Sequence, residues 1–369
     1  MLKKFSVTGF KNFSETITMD FSDVRDYKFH PECITDGLLN TAIIYGKNAA
    51  GKTNFGLALF DIVSHLTINS ATEGLYDYYL NEHESESACF EYAFQFGSDE
   101  IIYSYKKIDS QELFSEYLRM NSQVLLNSEP YCGSYGPDFS GLESISPTLN
   151  WDNWERIIGK SYLKYFLNNS AIDKSHPLIK MRDFISNMVF FRGLNEDKLG
   201  QFIGARKKSA YYDFIADHID EFNDLLKAAE INKKVRGIKD PDDVLRLYFD
   251  TTPPMPFFKT ASSGTKALHN FFYWYKTSPN ASFMYIDEFD AFYHYELAET
   301  IVTMLEKMPH FQKILTSHNT NLLSNRIMRP DCYFILTQDR LTSLVNATDR
   351  ELREGHNLEK LYISGEFNG

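Results

Sequence analysis

Cysteine is scarce. Four residues in 369 (Cys33, Cys89, Cys132 and Cys332) lie far apart with no C-x-x-C spacing, which suggests neither a disulfide framework nor a zinc site. Long apolar runs are missing as well. No stretch approaches the ~18 residues needed to span a bilayer, and Met1-Leu2-Lys3-Lys4-Phe5 runs into strand-like alternation rather than a signal peptide. The expected location is therefore cytoplasmic, with no membrane partner. Positive charge is in deficit: 38 Lys and Arg against 50 Asp and Glu give a net charge of −12. Bulk electrostatic coating of nucleic acid is disfavoured, because phosphate neutralisation needs clustered cations. A local basic groove stays open, with Arg206-Lys207-Lys208 and Lys233-Lys234-Arg236 as its candidates, although solvated surface is the simpler reading of both. Sustained heptads, internal repeats and low-complexity segments are also absent, which excludes a long coiled-coil arm.

What the chain does have is apolar and aromatic material, 43% and 15% of the sequence, enough for a large core. Its most informative stretch is Ile43-Ile44-Tyr45 followed by Gly46, Lys47, Asn48, Ala49, Ala50, Gly51, Lys52, Thr53 and Asn54. An apolar, β-branched run, a glycine-bounded loop and then Phe55, Leu57, Ala58, Leu59, Ile62 and Val63 on a wide face predict strand, loop and helix. Gly46, Gly51, Lys52 and Thr53 fit G-x-x-x-x-G-K-[ST], in which backbone N–H groups wrap nucleotide phosphates, the lysine reaches the β/γ oxygens and the threonine hydroxyl ligates Mg²⁺. Glycine lets the chain approach the phosphates closely, and unpaired N–H groups at a helix start favour an anion.

Around this loop the pattern is mixed. Phe5, Val7 and Phe10, then Ile17, Met19 and Phe21, predict a β-hairpin across Lys11–Ser14. Period-two segments from Ala88 to Leu126, separated by Gly97-Ser98-Asp99 and Asp109-Ser110, predict an antiparallel meander belonging with that hairpin. Helices are expected over Trp151–Leu167, Pro177–Met188 and Tyr211–Lys233, with a short strand at 187–192. From Ser282 onward, strands and helices alternate, which argues for a parallel sheet shared with the phosphate-loop strand. The expected divisions are 1–127 (phosphate loop and antiparallel lobe), 128–250 (a mainly helical insertion) and 251–369.

The last third supplies the other half of a site. Phe283–Ile286 is an apolar strand ending in Asp287 and Glu288, at the kind of strand end where ligands sit in α/β sheets. Asp287 suits Mg²⁺, and Glu288 suits the base that orients and deprotonates an attacking water. Ile314–Ser317 is another buried strand, leading to His318, a candidate γ-phosphate contact. Ser262, Ser263 and Gly264 open a helix, either as an ordinary N-cap or as a second anion site serving a nucleotide on another subunit.

In order and spacing these pieces resemble the head of ABC-type ATPases. More narrowly, the chain is similar to bacterial AAA-family ATPases related to SMC proteins and to the overcoming-lysogenisation-defect nucleases, of the kind found in anti-phage defence. Gly9-Phe10-Lys11-Asn12-Phe13, the loop 46–54, residues 316–323 (T-S-H-N-T-N-L-L) and Leu361-Tyr362-Ile363-Ser364-Gly365 carry the likeness. It covers both ends of the chain and leaves about 87–250 assigned by position. The resemblance implies an α/β fold: an ABC-ATPase head with a P-loop parallel sheet, an N-terminal antiparallel β lobe and a helical insertion. It makes Ser262 and Gly264 the signature residues, with Ala261 and Ser263 replacing the usual Leu and Gly, and puts Asp290 in the subunit-crossing loop. Gln95 and Gln201 are the candidates for the family's sensing glutamine. It further implies ATP and Mg²⁺ as ligands, a homodimer or higher homo-oligomer sandwiching ATP between Lys52 of one copy and Ser262 of the other, and a separate effector partner such as a nuclease or toxin. The alternative is an SMC-like DNA repair or recombination clamp that contacts nucleic acid. The ATPase of a membrane transporter ranks lower, since the Leu-Ser-Gly-Gly-Gln form is missing.

Overall fold

The computed structural model describes residues 1–67, 74–81, 85–129, 136–151, 154–192, 217–241, 245–277, 280–308 and 311–367. At the N-terminus β1 (Leu2–Thr8) and β2 (Ile17–Asp20) form the hairpin that the alternation predicts, with Val7 opposite Ile17. A small hairpin, β3 (Ile34–Thr35) and β4 (Leu38–Leu39), precedes β5 (Thr41–Tyr45), which is buried at every position. Next come β6 (Ala88–Phe96), β7 (Asp99–Lys107), β8 (Leu113–Met120) and β9 (Gln123–Asn127). The order β2-β1-β6-β7-β8-β9 makes hairpin and meander one antiparallel sheet.

β10 (Met188–Arg192) is followed by a three-stranded antiparallel sheet of β11 (Val235–Lys239), β12 (Leu245–Phe249) and β13 (Met255–Pro256). The second large sheet adds β14 (Phe283–Asp287), β15 (Gln312–Ser317), β16 (Tyr333–Leu336) and β17 (Leu341–Ser343) in the order β10-β14-β15-β5-β16-β17. Every pairing in it is parallel except β16 with β17. The phosphate-loop strand is therefore interior, flanked by β15 and β16, as an all-buried apolar strand requires.

The helix Lys52–Leu66 lies between the two sheets. Phe55 packs edge-on against Phe5 of β1, while Phe60 meets Phe190 of β10 and Phe283 of β14. A helix covered on both sides reads in sequence as a wide apolar face rather than a narrow stripe. It also carries buried charge. Asp61 accepts from the Tyr79 and Tyr105 hydroxyls at 2.8 Å each and from Lys107 Nζ at 2.7 Å. His65 Nε2 lies 2.7 Å from the Tyr103 hydroxyl. Tyr103 donates to Glu116 of β8, whose carboxylate also accepts from Ser161 Oγ at 2.6 Å and the Tyr162 amide at 2.8 Å. At the base of the sheets, the buried Gln312 amide bridges to the Leu2 backbone, accepting at 2.7 Å and donating at 2.8 Å.

Residues 128–250 hold helices at Ser140–Ile145, Tyr162–Asn169, Pro177–Ser186 and Ile219–Ala228. They also hold β10, which is an edge strand of the core sheet, and the β11–β12 hairpin. The helix expected over Trp151–Leu167 is split into a 3-10 turn, Trp154–Ile157, and the helix from Tyr162, with Gly159 at φ +80° between them. Within the alternating C-terminal stretch, Thr320–Leu322 forms a single 3-10 turn. The first part of the helix expected over Tyr211–Lys233, Arg206-Lys207-Lys208 and Gln201 lie outside the described residues.

Candidate functional site

The parallel register brings the C-terminal ends of β5, β14 and β15 to one edge of the sheet. Gly46, Glu288 and His318 follow those ends. The loop 46–51 enters its helix through Ala49 at φ 62° and Gly51 at φ 102°. A Cβ at Gly51 would stand 2.5 Å from the Asn12 amide nitrogen and 2.8 Å from the Phe13 ring, and one at Gly46 would stand 2.8 Å from the Leu336 carbonyl. Both glycines are thus required by the protein packed behind the loop. Asn12 clasps the loop from outside: it donates to the Ala50 carbonyl at 3.4 Å and accepts from Asn54 at 2.7 Å.

Lys52 is buried, and its Nζ donates to the carbonyls of Gly46 at 2.9 Å and Lys47 at 3.3 Å. Burial lowers its pKa, opposed by the charges of Asp287, Glu288 and Asp290. The Thr53 hydroxyl donates to Asp287 Oδ2 at 2.7 Å. Asp287 Oδ1 accepts from Thr316 Oγ1 at 2.8 Å, and the same hydroxyl accepts from the Glu288 amide at 2.7 Å. Glu288 adopts φ 50°, a backbone region that non-glycine residues rarely occupy, and its Oε2 is buried with no hydrogen-bond partner among the described residues. His318 stands between the cation and this acid, with Nδ1 3.4 Å from Lys52 Nζ and Nε2 3.9 Å from Glu288 Oε1. Asp290 accepts from Ser317 Oγ at 2.6 Å, and burial raises its pKa despite that bond. Asn48, Glu288, Asp290, Ala291, His318 and Asn319 line a cavity of about 370 Å³ over this edge.

The structure therefore gathers Lys52, Thr53, Asp287, Glu288, Asp290 and His318, as the sequence leads one to expect. Two neighbours were not foreseen as site residues. Thr316 fixes both acids, and Arg192, which ends β10 opposite Asp287 in register, places Nε 3.5 Å from Asp287 Oδ2. A polar residue at or next to the end of a strand was the available signal for each, but their meeting depends on the order β10-β14-β15. Gln95 is the penultimate residue of β6, its amide donating to the Gly97 carbonyl in the following turn at 2.7 Å.

Ser262 is the N-cap of the helix Ser263–Thr277: its Oγ accepts from the Thr265 amide at 3.2 Å. Ser262 and Ser263 are exposed. Gly264 is pressed against the segment after Asp290, where an added Cβ would stand 2.7 Å from the Phe292 carbonyl. Of the second basic cluster, Arg236 pairs with Asp250 at 3.3 Å and Lys233 lies over the Phe249 ring. No helix among the described residues is long and apolar enough to cross a membrane.

No curated protein matches the chain. Among solved structures, it is similar to the SMC head domain from Thermotoga maritima (15% identity, 93% of this chain and 98% of that one, TM-score 0.42). It is also similar to an SmcHead bound to the C-winged helix domain of ScpA (14%, 93% and 97%, TM-score 0.46). A third is the Smc head domain with an extended coiled coil bound to the C-terminal domain of ScpA, derived from Pyrococcus furiosus (13%, 100% and 99%, TM-score 0.44). At such values the strand order, and not the likeness, defines the fold. One family model, described as "AAA domain, putative AbiEii toxin, Type IV TA system", matches residues 42–324, from the phosphate-loop strand to beyond His318, and the chain belongs to that family of AAA domains.

Proposed function

We propose that this chain is an ATP-binding and ATP-hydrolysing ABC-type ATPase subunit that closes into a homodimer or higher homo-oligomer around ATP and governs a separate effector protein. The observation that carries the reading is the meeting of Thr53, Asp287 and Glu288 beside Lys52. A hydroxyl donates to one acid, and the next acid keeps a buried oxygen without a partner among the described residues. An orphaned buried carboxylate oxygen is costly unless something binds it, and a water or cation in the 370 Å³ cavity supplies that.

In this reading the 46–51 loop and Lys52 hold the triphosphate, and Lys52 exchanges the Gly46 and Lys47 carbonyls for phosphate oxygens. Thr53 and Asp287 are the residues that would hold Mg²⁺, which when bound neutralises charge on the β/γ oxygens. Glu288 takes the proton of the attacking water. His318, one nitrogen toward Lys52 and the other toward Glu288, contacts the γ-phosphate and senses its loss. Ser262, Ser263 and Gly264 present an exposed helix start, suited to a nucleotide held by another copy, and Asp290 lies in the segment that reaches between copies. The head comprises residues 1–127 and 251–369, together with β10 from the intervening 128–250.

The effector is a nuclease or toxin acting in anti-phage defence. The matched family's description attaches the word toxin to the AAA domain itself, so it supports a place in a toxin–antitoxin system and leaves the separate effector to the resemblance read from the sequence. The clamp reading has less support, because Arg236 and Lys233 are engaged locally. The test is Glu288→Gln: ATP binding is retained while turnover falls at least ~100-fold, and the variant accumulates as a closed oligomer. Turnover at the wild-type rate removes Glu288 from the base role. Co-purification with the products of neighbouring genes tests the effector.

A further inference from the structure

At the opposite end of the sheet, where the parallel strands begin, a histidine and two glutamates converge. His30 precedes the 3-10 turn Pro31–Cys33, and its Nε2 lies 3.0 Å from the Asn325 carbonyl oxygen. A carbonyl only accepts, so Nε2 carries the proton, and Nδ1 of the neutral ring presents a lone pair. That lone pair faces Glu32 Oε1 at 3.2 Å. Two acceptors at this separation are joined either by a second proton on the ring or by a metal cation.

The third group comes from the helix Tyr295–Glu306. Glu306 is 3% exposed, and the donor it meets is the Cys33 thiol, 3.4 Å from Oε1, a weak one. Lys313 is close enough to influence it, but donates its Nζ to the Met308 carbonyl at 2.6 Å. Burial pushes the Glu306 carboxyl up to about 7 and the Lys313 ammonium down to about 8. One ligand atom from each of His30, Glu32 and Glu306 lies within 4.8 Å of the other two. Metal–ligand bonds of about 2.0–2.2 Å in tetrahedral geometry place donors roughly 3.4 Å apart, so side-chain adjustments on the order of 1 Å complete the site.

We propose that His30, Glu32 and Glu306 bind a divalent transition-metal ion of the zinc class, through His30 Nδ1 and one oxygen of each carboxylate. Imidazole with carboxylate is a donor set for such ions, and the two carboxylates balance a 2+ charge. The Asn325 carbonyl plays the outer part, fixing the tautomer and aim of the ring. The Asn325 side chain in turn donates to the carbonyls of Arg353, Glu354 and His356. The ion joins the loop ahead of the phosphate-loop strand to the helix that follows the Asp287-Glu288 strand, and so braces the sheet from below.

The test uses the whole untagged chain, stripped with chelator and titrated with Zn²⁺ by calorimetry and with Co²⁺ by visible absorption. An Asp287→Asn version silences cation binding at the phosphate-loop edge. One equivalent binds, and Asp287→Asn retains it. Glu32→Gln weakens it at least 10-fold, and His30→Asn abolishes it. Glu32 is exposed, so Glu32→Gln keeps its metal-free melting temperature, which separates a lost ligand from a damaged fold. Wild-type binding no tighter than that of Glu32→Gln overturns the proposal in favour of a protonated histidine–carboxylate pair. Binding that vanishes in Asp287→Asn alone overturns it as well.

Discussion

Thr316 is a neutral side chain set between two acids. Its hydroxyl gives its proton to Asp287 and receives the amide of Glu288, so a single oxygen sets the aim of one carboxylate and the unusual backbone of the next residue. Thr316→Val keeps the shape and removes both bonds. Leaving a buried partner unsatisfied costs about 1–3 kcal/mol. We expect kcat for ATP to fall at least ~10-fold with nucleotide affinity nearly unchanged, checked by steady-state turnover beside equilibrium binding; equal losses in both would make Thr316 a binding residue instead. Lys52, Thr53, Asp287, Glu288 and His318 were legible because each chemistry-bearing residue directly follows an apolar strand or opens a helix. Thr316 and Arg192 were not, because their contacts arise from which strands lie side by side. Asp61 and Glu116 were illegible for another reason: a charged residue in sequence reads as surface, and only the fold supplies Lys107, the tyrosines and the Ser161–Tyr162 turn that make burying them tolerable.

Among the elements, the helix Lys52–Leu66 depends on closeness at Gly56. A Cβ there would stand 2.5 Å from the Tyr285 ring and 2.7 Å from the Phe190 ring. Those two rings stack nearly parallel, and the Tyr285 hydroxyl donates to the Lys52 carbonyl at 2.6 Å. Alanine would gain about 1 kcal/mol in helix propensity over glycine, against about 1–3 kcal/mol for overpacking. With two aromatic rings in the way, the upper end of that range applies. Gly56→Ala is therefore expected to destabilise the protein by about 1–2 kcal/mol, read as a lower urea midpoint; an unchanged or higher midpoint would show that the rings yield freely. The alternating strands were readable from period-two burial, and the helix from its apolar face. The break at Gly159 was not, because the pattern on either side of a turn can remain helical while the axis changes. Nor did the sequence show that β10 belongs to the core, since a five-residue apolar run carries no record of its neighbours.

For the molecule as a whole, two buried histidines contribute to the response to acid. His269, boxed by Phe222, Phe257 and Phe258, has a pKa pushed down to about 3 by burial, and His65 is lowered for the same leading reason. Between the folded and unfolded pKa values the unfolded chain binds more protons, so stability is full above the ordinary histidine value near ~6.5 and declines as the pH falls. At pH 5 His269 alone contributes a loss of about 2 kcal/mol. Denaturant midpoints at pH 7 and pH 5 check this, with His269→Leu showing the smaller drop. The assembly offers a separate test. Ser262→Arg should bind ATP as the wild type does yet stay monomeric by light scattering when ATP is added, whereas an ATP-dependent mass increase in that variant would place the contact between copies elsewhere.

Asp61, Lys107, Tyr79 and Tyr105 tie the back of the phosphate-loop helix to the antiparallel sheet with charged and hydroxyl contacts that tolerate little displacement. A shift of β7 must therefore either break these bonds or carry along the helix whose first residue is Lys52. In the proposed reading, a protein that grips the lobe there would have a handle on the nucleotide without touching it.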